Sequence, residues 1–128
     1  MKVLSLKQPH AELVLRGKKT VDLRNWSTDF RGEFLIHAAK EPDLKACKAH
    51  KIDPKTLTHG AIVGRATIYG VKQYLSKKGF LSDQHRHLSS NALFEPEATY
   101  GFLLKDAERL RNPIPMEDSL NFAELETL

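Results

Sequence analysis

The chain has 128 residues and a single cysteine, Cys47, so it predicts one domain, residues 1–128, that folds on its hydrophobic core without a disulfide. Its composition, 41% hydrophobic and 28% charged, is that of a soluble globule and excludes a membrane helix, which needs about 18 successive apolar residues. The net charge of +4 hides an asymmetry: residues 1–105 hold 18 basic and 10 acidic side chains, whereas the acidic C-terminal segment, residues 106–128, holds 2 and 6.

Val3 to Leu6 predicts a short first strand. Pro9 suits the first position of a helix over residues 9–16, in which Ala11, Val14 and Leu15 recur on one face and Gly17 supplies the left-handed stop. Thr20 to Arg24 alternates, with Val21 and Leu23 on one face and Asp22 and Arg24 on the other, as a half-buried strand does. After the Arg31-Gly32 turn, Glu33 to Ala39 is apolar on both faces and predicts a strand covered on each side. Residues 42–50 are helical, with Pro42 at the start.

Gly60 to Gln73 carries the longest strand pattern, interrupted by Gly64 and Gly70, and glycines inside a strand mark bulges or tight bends. Ser82 to Leu93 predicts a helix capped by Ser82. Thr99 to Lys105 predicts another strand, and Asn112 to Met116 an extended edge piece. About five or six strands with three short helices make an α+β domain built on a strongly bent or closed sheet.

The run Gly17-Lys18-Lys19-Thr20-Val21-Asp22-Leu23-Arg24 carries the chemistry. Asp22 and Arg24, two apart on a strand, share a face at roughly 7 Å, and Lys19 enters from the preceding turn. A lysine beside a carboxylate and a guanidinium can hold a phosphate or carbonyl as a point charge; when desolvated beside another cation it can instead lose its proton and act as a base. An ordinary surface ion pair between Asp22 and Arg24 is the plain alternative.

Several blocks in order resemble the ASCH family, the domain named for homology to activating signal cointegrator 1, within the PUA-like superfamily. They are Leu4-Ser5-Leu6-Lys7-Gln8-Pro9, the pattern G-x-K-x-x-[ED]-x-R as Gly17, Lys19, Asp22 and Arg24, and Trp26-Ser27-Thr28 with Arg31-Gly32. Phe34 to Lys40, Gly60 to Gly64, Tyr100 to Leu104 and Asn112 to Pro115 follow, so that the resemblance covers about residues 3–116. It implies a PUA-like β-barrel with a basic cleft beside the first helix, and RNA, another nucleic acid or a nucleoside as ligand. Some relatives hydrolyse N4-acetylcytidine with the motif lysine, a threonine three residues on and a distant glutamate. Here Asp22 stands at the threonine position and no glutamate aligns.

The resulting assignment places a ligand on Gln8, Gly17, Lys19, Asp22, Arg24 and Trp26. Lys19 and Asp22 would be the catalytic pair if the chain is a metal-independent amidohydrolase or ribonuclease. Trp26 could stack a base or pack the core, and Gln8 and His10 flank a helix start whose free N–H groups favour an anion. His37 reads as a hydrogen-bonded core histidine. Arg86, Lys77 and Lys78 could extend a phosphate-tracking surface, and Glu95 and Glu97 are carboxylates beside a turn. Cys47 with His50, and His85 with His87, lack the ligand number a zinc site needs, so neither metal nor cofactor is expected. A lone thiol fits a reducing compartment, cytoplasmic or, in a eukaryote, nuclear, and a monomer is the default at this size.

Overall fold

In a computed structural model that describes residues 1–90 and 93–125, six strands form one mixed sheet in an α+β arrangement. In chain order the elements are β1 (Lys2–Leu6), α1 (His10–Leu15), β2 (Val21–Arg24), β3 (Gly32–Ala38), α2 (Leu44–Ala49), a 3₁₀ turn (Pro54–Thr56), β4 (Ala61–Gln73), α3 (Lys77–Ser82), α4 (Gln84–His87), β5 (Tyr100–Pro115) and β6 (Phe122–Glu124). The sheet order is β2-β5-β4-β3-β1-β6, with β1 and β3 parallel and every other pair antiparallel.

The expected closed barrel is not formed, because the two edge strands β2 and β6 share no pairing. The sheet is nevertheless strongly curled. Trp26, just after β2, meets Phe102 of β5 edge-on at 5.1 Å and Phe122 of β6 at 5.7 Å, so aromatic contacts span the gap that hydrogen bonds leave open. Leu4, Leu6, Phe34, Ile36, Ala66, Ile68, Phe102 and Leu104 fill the inside of the curl, and Ala11 and Val14 of α1 plug one end. Val3, Leu35 and Ile62 pack outside it against Leu110 and Met116, which is why β3 reads as apolar on both faces.

Local sequence explains the bends. The β4–β5 register shifts between Ile62 and Gly64, between Arg65 and Thr67, and between Ile68 and Gly70, so both interrupting glycines sit beside bulges. The strand and edge piece expected separately over 99–105 and 112–116 are one strand, β5, bent at Asp106, whose φ is +54°. Only its first four residues pair with β2, so Pro113 and Pro115 fall where, among the described residues, one side of β5 carries no strand. Met116 N–H donates to Gly60 O, and strand alternation therefore turns the nitrogens of both prolines toward that open side, where no ladder bond is lost.

The helix expected over Ser82–Leu93 is two shorter ones. Ser76 caps α3 by accepting from Gly79 N–H, Ser82 ends it rather than beginning another, and Leu88 in the left-handed region stops α4. Asn91 and Ala92, in the remainder of that expected helix, lie outside the described residues, as do residues 126–128 of the acidic segment.

A methyl group on Gly64 would lie 2.4 Å from Leu15 Cδ2 and 2.6 Å from Glu108 O, whereas one on Gly70 would meet only the Leu103 side chain at 3.1 Å. Gly64→Ala is expected to destabilise the fold by about 1–3 kcal/mol. Gly70→Ala should cost less, and urea unfolding of both variants checks the ranking.

Candidate functional site

Curling brings β2 back toward β1, although the two are separated by three strands in the sheet. Arg24 spans the seam: its Nε donates to Asp22 Oδ2 at 2.5 Å and its Nη2 to Ser5 O of β1 at 2.8 Å. The seam opens into a cleft of about 380 Å³, within the range of about 300–1,000 Å³ usual for ligand pockets. Lys19, Asp22 and Arg24 all line it, together with Ser5, Lys7, His10, Asp43, Ser89 and Asp118. The cleft is mixed in charge rather than uniformly basic, since Asp22, Asp43 and Asp118 face Lys7, Lys19 and Arg24.

Lys19 reaches the cleft because α1 ends sharply. Gly17 adopts φ +75°, and the N–H groups of Lys18 and Lys19 both donate back to Leu13 O, folding the chain under the helix it has just left. Only 3% of Lys19 is exposed. Its Nζ donates to His87 O at 2.9 Å and bonds His10 Nδ1 at 3.1 Å. The His87 carbonyl is available because α4 stops there, and carbonyls at a helix end lack partners within the helix. His87 is itself anchored by stacking on Phe80 at 4.2 Å, with Nε2–H donating to Phe80 O.

His10 continues the chain of bonds, its Nε2 lying 2.9 Å from Asp43 Oδ2. A carboxylate only accepts, so Nε2 carries the proton and Nδ1 is left to accept from the lysine. Asp43 is fixed at the same time as the N-cap of α2, taking Ala46 N–H on its other oxygen. Burial pulls the Lys19 pKa down, against the Asp22 charge and with that of Arg24. Burial first, and the Lys19 charge second, hold His10 below its usual value. Burial alone would raise the Asp43 carboxyl, but hydrogen bonds from His10 and Ala46 bring it below normal. The result is a desolvated amine joined to a neutral imidazole and a carboxylate.

The remaining residues assigned from sequence lie elsewhere. Gln8 is buried and does not line the cleft: Nε2 donates to Thr58 O and Oε1 accepts from Glu12 N–H, so the side chain has a structural task. The helix start it flanks is closed in the same way, with His10 N–H on Lys7 O. Gly17 contributes its conformation only, and Trp26 packs in the aromatic seam outside the cleft. His37 is a core histidine held by Ser5 Oγ and Met116 O. Glu95 and Glu97 are exposed and outside the cleft. No group of three possible metal ligands is found among the described residues.

Sequence reasoning missed Asp43 and Ser89 and gave His10 too little weight. The available signal was Asp43 itself, a capping residue whose second oxygen has to go somewhere.

The family model of the ASCH domain matches residues 4–113. No curated protein matches significantly. The solved structure of ASCH from Zymomonas mobilis is similar in fold, with a TM-score of 0.72 at 19% identity, covering 98% of this chain and 87% of that one. A Ser-to-Ala variant of the Zymomonas mobilis protein gives 0.66 at 20%, covering 90% and 73%. A Tyr-to-Phe variant gives 0.64 at 21%, covering 89% and 74%.

The two cleft-side histidines set an acid limit. Burial lowers the pKa of both His10 and His87 from 6.5, so below that pH the unfolded chain takes up protons that the folded chain refuses. Stability from these groups is therefore complete above pH 6.5 and falls as pH drops toward their folded pKa values. The melting temperature should begin to decline below pH 6.5, before the carboxylates Glu12, Asp43 and Asp83, with ordinary values of 4.5 and 3.8, start to titrate. His10→Asn should weaken that early decline, and a flat profile between pH 7 and 5 would contradict the argument.

Proposed function

Because the chain belongs to the ASCH domain family, we propose that it binds nucleic acid, RNA in particular, or a nucleotide, by taking one nucleobase into the Lys19–Asp22–Arg24 cleft. The observation that carries this reading is that those three side chains line one small cavity of mixed polarity. Among the described residues Arg24 is the hydrogen-bond donor to the Asp22 side chain, through Oδ2, which leaves Oδ1 to accept from an exocyclic amine. Lys19 has two partners and a third proton to give to a ring nitrogen or carbonyl. Donor and acceptor side by side suit a base edge better than a run of phosphates. Lys7, exposed at the rim, supplies a cation for the adjoining phosphate. In this reading the chain is a cytoplasmic monomer, or nuclear in a eukaryote, and its curled, unclosed sheet is a relative of the PUA-like folds.

A second reading, hydrolysis of an N-acylated nucleoside such as N4-acetylcytidine, is favoured by one observation, the Lys19–His10–Asp43 hydrogen-bond chain. A neutral Lys19 amine would take a proton from water as the water oxygen bonds to the acyl carbon. The C–N bond would then break as that proton passes to the departing amine, leaving a free acid and the deacylated base. His10 and Asp43 would orient the amine. Ribonuclease action in the same cleft would show as shortened RNA.

Lys19→Met keeps the stem and removes the charge. It is expected to weaken binding of single-stranded RNA and of cytidine monophosphate at least tenfold in calorimetric titrations, and to lower the melting temperature because His87 O and His10 Nδ1 lose their donor, so binding is measured at a temperature where the variant is folded. Wild-type protein that binds neither ligand would refute the binding reading. Product formed from N4-acetylcytidine or RNA and lost in Lys19→Met would establish the hydrolytic one.

A further inference from the structure

On the outer surface of the sheet, Tyr69 is the extra residue of the β4 bulge: Ile68 pairs with Leu104 and Gly70 with Leu103, and nothing on β5 opposes Tyr69. A bulge re-aims the side chain it carries. This one leaves a large ring 46% exposed between two cations from other elements. Arg86 of α4 donates from Nη2 to the Tyr69 hydroxyl at 3.0 Å, and the Lys105 ammonium of β5 lies 5.6 Å from the ring centroid. Neither cation has an acidic partner within ion-pair distance among the described residues, in contrast to Lys72, Arg65 and Arg109, each of which does.

From this arrangement we infer that Tyr69, Arg86 and Lys105 form a second contact for single-stranded nucleic acid, a base stacking on the ring while the two cations hold its flanking phosphates. Stacking on an exposed aromatic flanked by cations is the usual way a strand is held without sequence preference. The lysine's hold on the exposed ring is weak enough to yield to a base and move to a phosphate. The patch is joined to the cleft through two successive residue pairs. Thr20 N–H donates to Arg86 O, and the neighbouring Lys19 Nζ donates to His87 O. Arg86 Nε also reaches Thr20 Oγ1 at 3.4 Å. The residues leading into β2, paired with the end of α4, thus present Lys19 inward to the cleft and Arg86 outward to Tyr69. The inference rests on the proposed function and sharpens it: the ligand is a strand rather than a free nucleoside.

The test compares a mononucleotide with a single-stranded octanucleotide, using wild type, Tyr69→Ala, Tyr69→Phe, Lys105→Gln and Lys19→Met, each shown by its melting curve to be folded at the assay temperature. Wild type should prefer the octanucleotide. Tyr69→Ala should weaken that complex about tenfold and leave the mononucleotide untouched, while Tyr69→Phe, which keeps the stacking face, should stay near wild type. Lys105→Gln should weaken the octanucleotide severalfold and lower its salt slope by about one. Lys19→Met should weaken both ligands. Octanucleotide affinity unchanged within twofold in Tyr69→Ala and Lys105→Gln, with Lys19→Met still defective, would overturn this second contact and leave the cleft reading standing. Wild type that binds neither ligand overturns both. Binding of an acidic peptide, lost in Lys105→Gln while the octanucleotide shows no dependence on Tyr69, would assign the patch to a protein partner instead.

Discussion

One guanidinium holds together two strands that never pair. Arg24 takes the Asp22 carboxylate on one edge and the Ser5 carbonyl on another, so the curl of the sheet ends in a side-chain bridge from β2 to the end of β1. Beside that bridge the seam is held by aromatic contacts among Trp26, Phe30, Phe102 and Phe122. The cleft exists because of this incompleteness. The end of β1 that runs beyond its pairing with β6, Ser5 and Leu6, meets β2 only through side chains, and Lys19, Asp22 and Arg24 line the space left there.

A second constraint sets the opposite wall. Gln8 ties the Thr58 carbonyl and the Glu12 amide through its side chain, while its own carbonyl receives Asp43 N–H. This one buried residue fixes α1 against α2, and with them the distance from His10 to Asp43. Glu12 secures the other flank of α1, taking both terminal nitrogens of Arg109 and Nε of Arg16, which lowers its pKa chiefly through the Arg109 hydrogen bonds. The helix has only six residues and little stability of its own, so these polar clamps and its apolar plug decide where it sits.

Much of this was legible in the sequence. Alternation placed Asp22 and Arg24 on one face, the two-sided apolarity of residues 33–39 announced a covered strand, and Gly64 and Gly70 marked the bends. What could not be read were bonds between segments far apart in the chain. Nothing local tells Lys19 that it will meet His87 O, or Gln8 that it will meet Thr58 O, because each contact exists only after the sheet has curled. The helix expected over 82–93 failed for a related reason: Ser82 has the chemistry of a cap, but Ser76 is the residue that captures Gly79 N–H, and burial of Phe80 and His87 against Tyr74 selects two short turns.

The two prolines near the end of β5 act on encounters between molecules. A strand margin with regular amides is a template onto which a neighbouring chain can dock its own backbone, and long exposed margins are how sheet proteins polymerise. With Pro113 and Pro115 turning donorless nitrogens outward, the last two outward-facing donors of this rim are missing. A strand arriving at that end of the rim meets acceptors without the matching donors, which disfavours addition of a further chain there.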